Sequence, residues 1–394
     1  MLMKTIYLDN GATTKVDPKV LEKMSVYYTE KYGNASSLHH KGQEAKMGLE
    51  EARESIAKSI NAKPSEIIFT SGGSESNNLA IKGVAFSKNN RVHLITSQIE
   101  HHSVERTFEE LKKQGYETSF IKVDKEGFVD LTQLENEIKE NTVLVSIIHG
   151  NNEIGTIQDI ESIGKICKKK KVLFHIDAVQ SFTKVPIDVK KINVDLISLN
   201  AHKIHGPKGV GALYVRDGVK LKKIIDGGDQ EYRLRSGTEN VPGIIGFAEA
   251  VKLANNSSNI KHMTKLRNKL IDGLLSLEDV RLNGPSIDES KKLFGKDDKR
   301  LCNNINISFK YVEGESIGGY MDAKGICSST GSACSSKSLK PSHVLTAIGL
   351  TPEEAHGSIR LSLGRFNTEE EIDFVLEVLP AIIKKLRKIS PLMK

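Results

Sequence analysis

Cysteine is scarce in this sequence, with four residues in 394, at positions 167, 302, 327 and 334. No two of them form a Cys-x-x-Cys pair, and they follow no dense, even pattern. That excludes a disulfide-stapled scaffold and a thiolate zinc cage, and it points to a reducing compartment, the cytoplasm. Long apolar runs are missing as well. Nothing approaches the roughly 20 residues of a membrane-spanning helix, and residues 1–10 lack the apolar stretch of a secretory signal, with Asp9 arriving where such a signal is still apolar. Charge of one sign is not concentrated: 57 basic residues face 50 acidic ones, for a net charge of +7 spread along the chain. A nucleic-acid-binding protein gathers such charge into a stripe, so neither a membrane nor a nucleic acid is expected as a direct partner. The lysine-rich runs at 168–171 and 384–388 accompany helical patterns and read as solvated helix ends. Internal repeats and low-complexity segments are absent.

What is present is an alternation of short β-branched apolar runs with longer stretches of 3.6-residue period, which predicts an α/β fold with parallel strands joined by helices. Seven strands are expected, at 66–70, 92–96, 118–123, 143–149, 172–177, 194–198 and 211–215, forming one large, mostly parallel sheet. Helical patterns lie between several of them, around 44–60, 74–86, 101–114 and 159–170. Beyond about residue 255 the pattern changes to helices at 261–277, near 314–322 and at 368–389, with strands at 304–309 and 358–363. The expected division is a large domain over 15–255 and a smaller α+β domain made of 256–394 together with 1–14. The polar stretch 288–300 is expected to be a mobile surface insertion.

The chemistry sits between these elements. The segment from Thr70 to Asn78, Thr-Ser-Gly-Gly-Ser-Glu-Ser-Asn-Asn, follows a strand and opens a helix, so its amides and hydroxyls face one point at the positive end of a helix dipole. That arrangement suits a phosphate or a plain helix cap; it lacks both the Lys-Ser/Thr pair of a P-loop and the spacing of a dinucleotide fold. Polar clusters follow at later strand ends: Glu100-His101-His102, His149 to Glu153, and His175 to Gln180. Ligand sites in open parallel sheets lie at the carboxyl ends of strands, so these clusters should converge. A fourth cluster, Asn200-Ala201-His202-Lys203, precedes a Gly-Pro-Lys-Gly turn. A lysine in a polar cleft can form a Schiff base, and a carboxylate such as Asp177 can hold a protonated pyridine nitrogen. Phosphate seat, acid and lysine together describe a pyridoxal phosphate site.

Farther along, Ser328 to Ser336 is a run of small residues around Cys334 that cannot bury apolar area and is expected to be mobile. Cys334 is the candidate nucleophile. Cys167, within a helical pattern, and Cys302, before a strand, read as core residues, and Cys327 stands at the loop's entrance. Arg360, inside an apolar strand, calls for a carboxylate partner, either a substrate's α-carboxylate or an acidic side chain of the protein.

These residues together resemble the cysteine desulfurases of the NifS/IscS type, members of the fold type I pyridoxal phosphate enzymes. The likeness runs from Tyr7-Leu8-Asp9-Asn10-Gly11-Ala12-Thr13-Thr14 through Gly33-Asn34-Ala35 and every cluster above, to Ser329-Thr330-Gly331-Ser332-Ala333-Cys334 and Arg360-Leu361-Ser362-Leu363-Gly364-Arg365. The resemblance implies that Lys203 carries the cofactor, Asp177 pairs with its pyridine nitrogen, His101 stacks on its ring, and Asn152 and Gln180 reach its phenolic oxygen. It also implies that Gly73, Ser74, Asn200 and His202 form the phosphate site from one subunit and that Thr238 completes it from a second, so that the site needs a homodimer. Asn34 and Arg360 would take the carboxylate of L-cysteine. Cys334 would receive the sulfur as a persulfide, releasing L-alanine, and pass it to an acceptor such as an iron–sulfur scaffold protein or a tRNA-thiolation enzyme. No intrinsic metal is implied; Cys334 is the residue that a cluster on a scaffold partner would share. Three departures stand out. Asn200-Ala201-His202-Lys203 replaces the usual Ser-Gly-His-Lys, Ala35 replaces the proline of Gly-Asn-Pro, and the chain stops at Lys394, where some relatives carry a longer tail. The competing expectations are a selenocysteine lyase or another enzyme of the same fold, and a non-catalytic paralogue that binds scaffold proteins.

Overall fold

A computed structural model of the chain describes residues 5–287, 299–330 and 341–393. Most of the polar stretch at 288–300, and the segment 331–340 with Cys334, lie outside the described residues.

The seven expected strands all form, with ends displaced by a residue or two, and they share one sheet. Its order is Ile67–Thr70, Gly211–Val215, Leu196–Asn200, Leu173–Asp177, Thr142–Ile148, His93–Ser97 and Glu117–Ile121. Only Gly211–Val215 runs against its neighbours; the other strand pairs are parallel. The inner strands are mainly apolar and buried along almost their whole length because helices cover both faces, which parallel sheets require. One apolar cluster, including Phe174, Ile176, Ile197 and Phe247, fills one side of the sheet, and another, including Leu94, Phe108, Leu144 and Leu213, fills the other.

Two long helices escaped the periodicity reading. Pro18–Thr29 begins with the Asp17 side chain accepting from the Lys19 amide and with proline in its first turn, the position where a missing N–H costs nothing. Val241–Ala254 is apolar almost all round and buried beneath Pro18–Thr29 and His40–Ser59, so it has no polar face from which a helical period could be read.

The remainder forms a second sheet in the antiparallel order Ser329–Thr330, Ser358–Ser362, Asn304–Phe309 and Val280–Leu282. Helices Ser257–Leu275, Gly314–Asp322 and Glu369–Ile389 pack with it around a core that includes Leu266, Ile305, Leu361 and Leu379. Ile6 and Leu8 belong to this core, because strand Ile6–Tyr7 pairs with Ile326–Cys327 and Asn10 donates its amide to Ser362 O at 3.2 Å. The start of the chain is thereby laid along the seam where the two sheets' loops meet.

Candidate active site

Register fixes the first part of the site. Thr70 and Asn200 both stand opposite Gly211, so the turns after Ile67–Thr70 and Leu196–Asn200 emerge side by side. Glycine is required at 211, since a Cβ there would lie 2.7 Å from the Cα of Gly72 and 2.7 Å from Leu199 O. Gly72, with φ of +151°, then turns the chain into helix Gly73–Phe86, whose first-turn amides open onto a cavity of about 420 Å³. Thr13, Ser71, Gly73, Ser74, Asn200 and His202 are among its lining residues, with Lys208. His202 Nδ1 is 3.1 Å from Thr13 Oγ1, and burial and the nearby Lys203 push its pKa down to about 3, which leaves the ring neutral at physiological pH. Amides at a positive helix end, hydroxyls and Lys208 make this an anion seat. Glu75 lies in the same first turn, but its carboxylate is engaged by the Ser71 amide at 2.8 Å and by Arg235 Nε at 2.9 Å. These bonds hold its pKa low in spite of its burial.

The second part lies at the ends of the parallel strands. Asp177 closes its strand and is buried; its Oδ1 accepts from the Val179 amide at 3.0 Å and its Oδ2 from Asn77 Nδ2 at 2.8 Å. His101 caps helix His102–Lys113, with Nδ1 accepting from the Ser103 amide at 3.1 Å and lying 2.8 Å from Ser103 Oγ. Burial lowers its pKa, Asp177 opposes that shift and Lys203 reinforces it. Lys203 Nζ donates to Gly11 O and Ala12 O at 2.6 Å each, and Gln180 Nε2 donates to Gly11 O at 2.8 Å. The backbone of the first strand's continuation thus holds both side chains.

The third part joins the two sheets. Arg360 Nη2 meets Asp9 Oδ1 at 3.1 Å and Nη1 donates to Asn152 O at 3.2 Å. Arg360 Nε and Asn152 Oδ1 are both buried with no hydrogen-bond partner among the described residues. Buried polar atoms are normally satisfied, so a donor and an acceptor left over at one seam mark a place for a polar ligand. The ion pair with Asp9 engages only one side of the guanidinium.

The structure therefore gathers Gly73, Ser74, Asn200, His202, Lys203, Asp177, His101, Gln180, Asn152 and Arg360 around the strand ends and the seam. Asn34 and Thr238 stand apart: both are exposed, and Asn34 Oδ1 accepts from the Ser36 amide at 2.9 Å. Among the cysteines, Cys167 is buried, its thiol pushed up to about 12 by burial, and Cys302 is buried as well. Cys327 is partly buried in the strand paired with Ile6–Tyr7, and burial raises its pKa too. Cys334 lies outside the described residues. Sequence reasoning missed Asn77, Ser103 and the carbonyls of Gly11 and Ala12. Asn77 lies in the polar start of its helix, Ser74-Glu75-Ser76-Asn77-Asn78, where nothing sets it apart from its neighbours; a backbone carbonyl leaves no signal either.

The model of the class-V aminotransferase family matches residues 6–375. A cysteine desulfurase IscS of Methanosarcina thermophila is 50% identical over 392 residues, covering 99% of this chain and 94% of that protein. Among solved structures, a NifS-like protein superposes with a TM-score of 0.87 at 42% identity, covering 98% of this chain and 99% of that one. SspA in complex with cysteine superposes with a TM-score of 0.81 at 38% identity, over 92% of this chain and 100% of that one. With the family model matched over residues 6–375 and a relative 50% identical over nearly the whole chain, the chain belongs to the class-V aminotransferase family and, within it, to the cysteine desulfurases of the NifS/IscS type.

Proposed function

We propose that this protein removes sulfur from L-cysteine with pyridoxal phosphate as cofactor, yielding L-alanine and a persulfide on Cys334. The observation that carries the reading is the convergence of Lys203, Asp177 and His101 beside a helix-terminal anion seat. The relatives named cysteine desulfurase and the neighbour holding cysteine support it.

The residues present fit the cofactor. The seat at Gly73, Ser74 and His202 suits its phosphate, Asp177 its pyridine nitrogen, and the unpartnered Asn152 Oδ1 and the nearby Gln180 amide its polar ring substituents. Bound there, pyridoxal phosphate supplies an electron sink for the pair released at the substrate's Cα. Lys203 is the base for the Cα proton, presented by the carbonyls of Gly11 and Ala12. His101, neutral because it is buried, can pass a proton without holding a charge in the cleft. Arg360 offers its unpartnered Nε toward the substrate carboxylate. The Cys334 thiolate attacks the substrate sulfur; the Cβ–S bond breaks with its electron pair left on carbon, which is protonated and leaves as L-alanine.

Asn34 and Thr238 complete the site from a second copy in this reading. Its support is an exposed apolar face: Leu21, Tyr28, Tyr32, Leu38 and Met47 lie on and between helices Pro18–Thr29 and His40–Ser59. Large exposed apolar side chains gathered in one stretch of the chain suit an interface. Distinct apolar clusters on the two sheets, joined by a smaller one at Ile99, Ile148, Val344 and Leu345, support a larger unit over 15–255 and a smaller one of 256–394 with 1–14. Among the described residues no helix is long and apolar enough to cross a membrane. In this reading the enzyme is cytoplasmic and hands sulfur to a scaffold protein or another acceptor.

The test is turnover of labelled L-cysteine with mass analysis of the protein. Cys334 is expected to gain one sulfur atom, Lys203→Ala to abolish alanine release, and Cys334→Ala to abolish sulfur transfer. Unchanged cysteine turnover in Cys334→Ala would sink the persulfide route.

A further inference from the structure

One cluster of metal-ligating side chains stands outside the cofactor site. His102 and Glu105 project from the first turn of helix His102–Lys113, three residues apart and so on one face. His343 opens the short helix His343–Ala347 and meets them from the other sheet's side of the seam, with its ring centroid 5.0 Å from that of His102. One ligand atom from each of the three lies within 4.8 Å of the others, and all three side chains are half-buried. Among the described residues no other group of three or more His, Cys, Asp or Glu meets that condition.

We propose that His102, Glu105 and His343 bind a divalent zinc ion that bridges the two helices. Two imidazoles and a carboxylate are a zinc donor set that leaves one position open, and neither magnesium nor calcium favours imidazole. The ring of His343 is already oriented for the task. Its Nε2 lies 2.9 Å from Glu100 O, so the ring N–H points to a backbone carbonyl and Nδ1 is left as the ligand. Ligating histidines characteristically have that outer partner. Ser342 caps the same helix and bonds Glu153 Oε2 at 2.5 Å, which fixes where His343 begins. His102 Nδ1 and Glu105 Oε2 face each other at 2.7 Å. The ion takes the place of the proton they share, and that proton is released to water.

Such a bridge has a consequence for the neighbouring residue. His101 is the cap of the same helix, so an ion on His102 and Glu105 restrains the helix start from which the His101 ring projects. The cluster's chemistry differs from that excluded by the scattered cysteines, since it uses no thiolate.

The experiment is equilibrium dialysis of the cofactor-loaded protein against buffered zinc, with metal counted by elemental analysis. One zinc per chain is expected in the unaltered protein and in Cys334→Ser. Glu105→Gln and His343→Ala should each weaken binding by more than about 100-fold, beyond the loss typical of an outer-shell change. Glu105→Gln keeps the shape and the hydrogen bond to His102, so it tests ligation even where His343→Ala disturbs packing; retained cofactor absorption identifies folded protein. A melting temperature that rises with zinc in the unaltered protein and not in Glu105→Gln supports the site. Zinc uptake equal in all variants, uptake lost in Cys334→Ser, no uptake at micromolar zinc, or equal displacement by magnesium overturns it.

Discussion

The amide of Asn77 donates to the carboxylate of Asp177 at 2.8 Å and, through the same nitrogen, to Ser103 Oγ at 2.8 Å. A single side chain on helix Gly73–Phe86 therefore sets the acid at the strand end and the cap that carries His101. Asn77 is itself buried, so both contacts are shielded from bulk water.

Asn77→Ala should weaken cofactor affinity without unfolding the protein. A hydrogen bond to a charged group contributes about 1.5–3 kcal/mol, so affinity should fall at least about tenfold. Titration of apo-protein followed by visible absorption checks it, and unchanged affinity would mean that Asp177 is held adequately by the Val179 amide alone.

Gly211→Ala should damage the anion seat from behind. Its Cβ would press on the Cα of Gly72, which is backbone and cannot rotate away. The expected result is a raised dissociation constant for the cofactor and for inorganic phosphate, with the rest of the sheet intact by circular dichroism.

Arg53 and Glu231 form a buried pair, with Nη2 to Oε1 at 2.7 Å and Nη1 to Oε2 at 2.8 Å. Glu231 Oε2 also accepts from the Phe69 amide at 2.7 Å, so the pair anchors the edge strand that leads into the seat. Arg53→Met leaves a buried carboxylate uncompensated and should cost about 3–5 kcal/mol in denaturant unfolding. The double change Arg53→Met, Glu231→Gln should cost less than the single one.

Buried histidines should make the protein acid-labile. His175 sits between Ser146 Oγ at 2.8 Å and Ser198 Oγ at 3.0 Å, and burial pushes its pKa down to about 3 from 6.5. Between those values the unfolded chain binds the proton and the folded one does not, so stability is full above about 6.5 and falls as pH drops toward 3. For this one residue the loss between about pH 7 and about pH 5 is about 2 kcal/mol. Glu100 has the opposite sign. Burial raises it to about 8, so its contribution is full below 4.5 and is lost as pH rises toward 8. Unfolding free energies measured across this range should show a shallower acid slope in His175→Gln and a shallower alkaline slope in Glu100→Gln.

The strands were legible in the sequence because a strand covered on both faces is mainly apolar and β-branched, as in Thr142–Ile148, and such short runs bounded by polar residues read as strands. The direction of Gly211–Val215 was not, since a run of five apolar residues reads the same in a reversed strand. The convergence of His101, Asp177 and Lys203 at the strand ends was legible because they are polar residues following apolar runs. The parts that orient them were hidden for two reasons. Gly11 and Ala12 act through carbonyls that every residue has, and Ser103 and Asn77 act through contacts between helices far apart in sequence. Asn34 and Thr238 are both exposed, and neither lines the cavity at the anion seat.

The position of the first strand also sets an order of events during synthesis. Ile6 and Tyr7 need Ile326 and Cys327 as pairing partners, and Asn10 needs Ser362, yet Gly11 and Ala12 are what hold Lys203. On the ribosome the segment is made first and can dock only when nearly the whole chain has emerged. The large sheet can close beforehand, but until then Lys203 lacks the carbonyls of Gly11 and Ala12, so a nascent or prematurely ended chain carries Lys203 without that clasp.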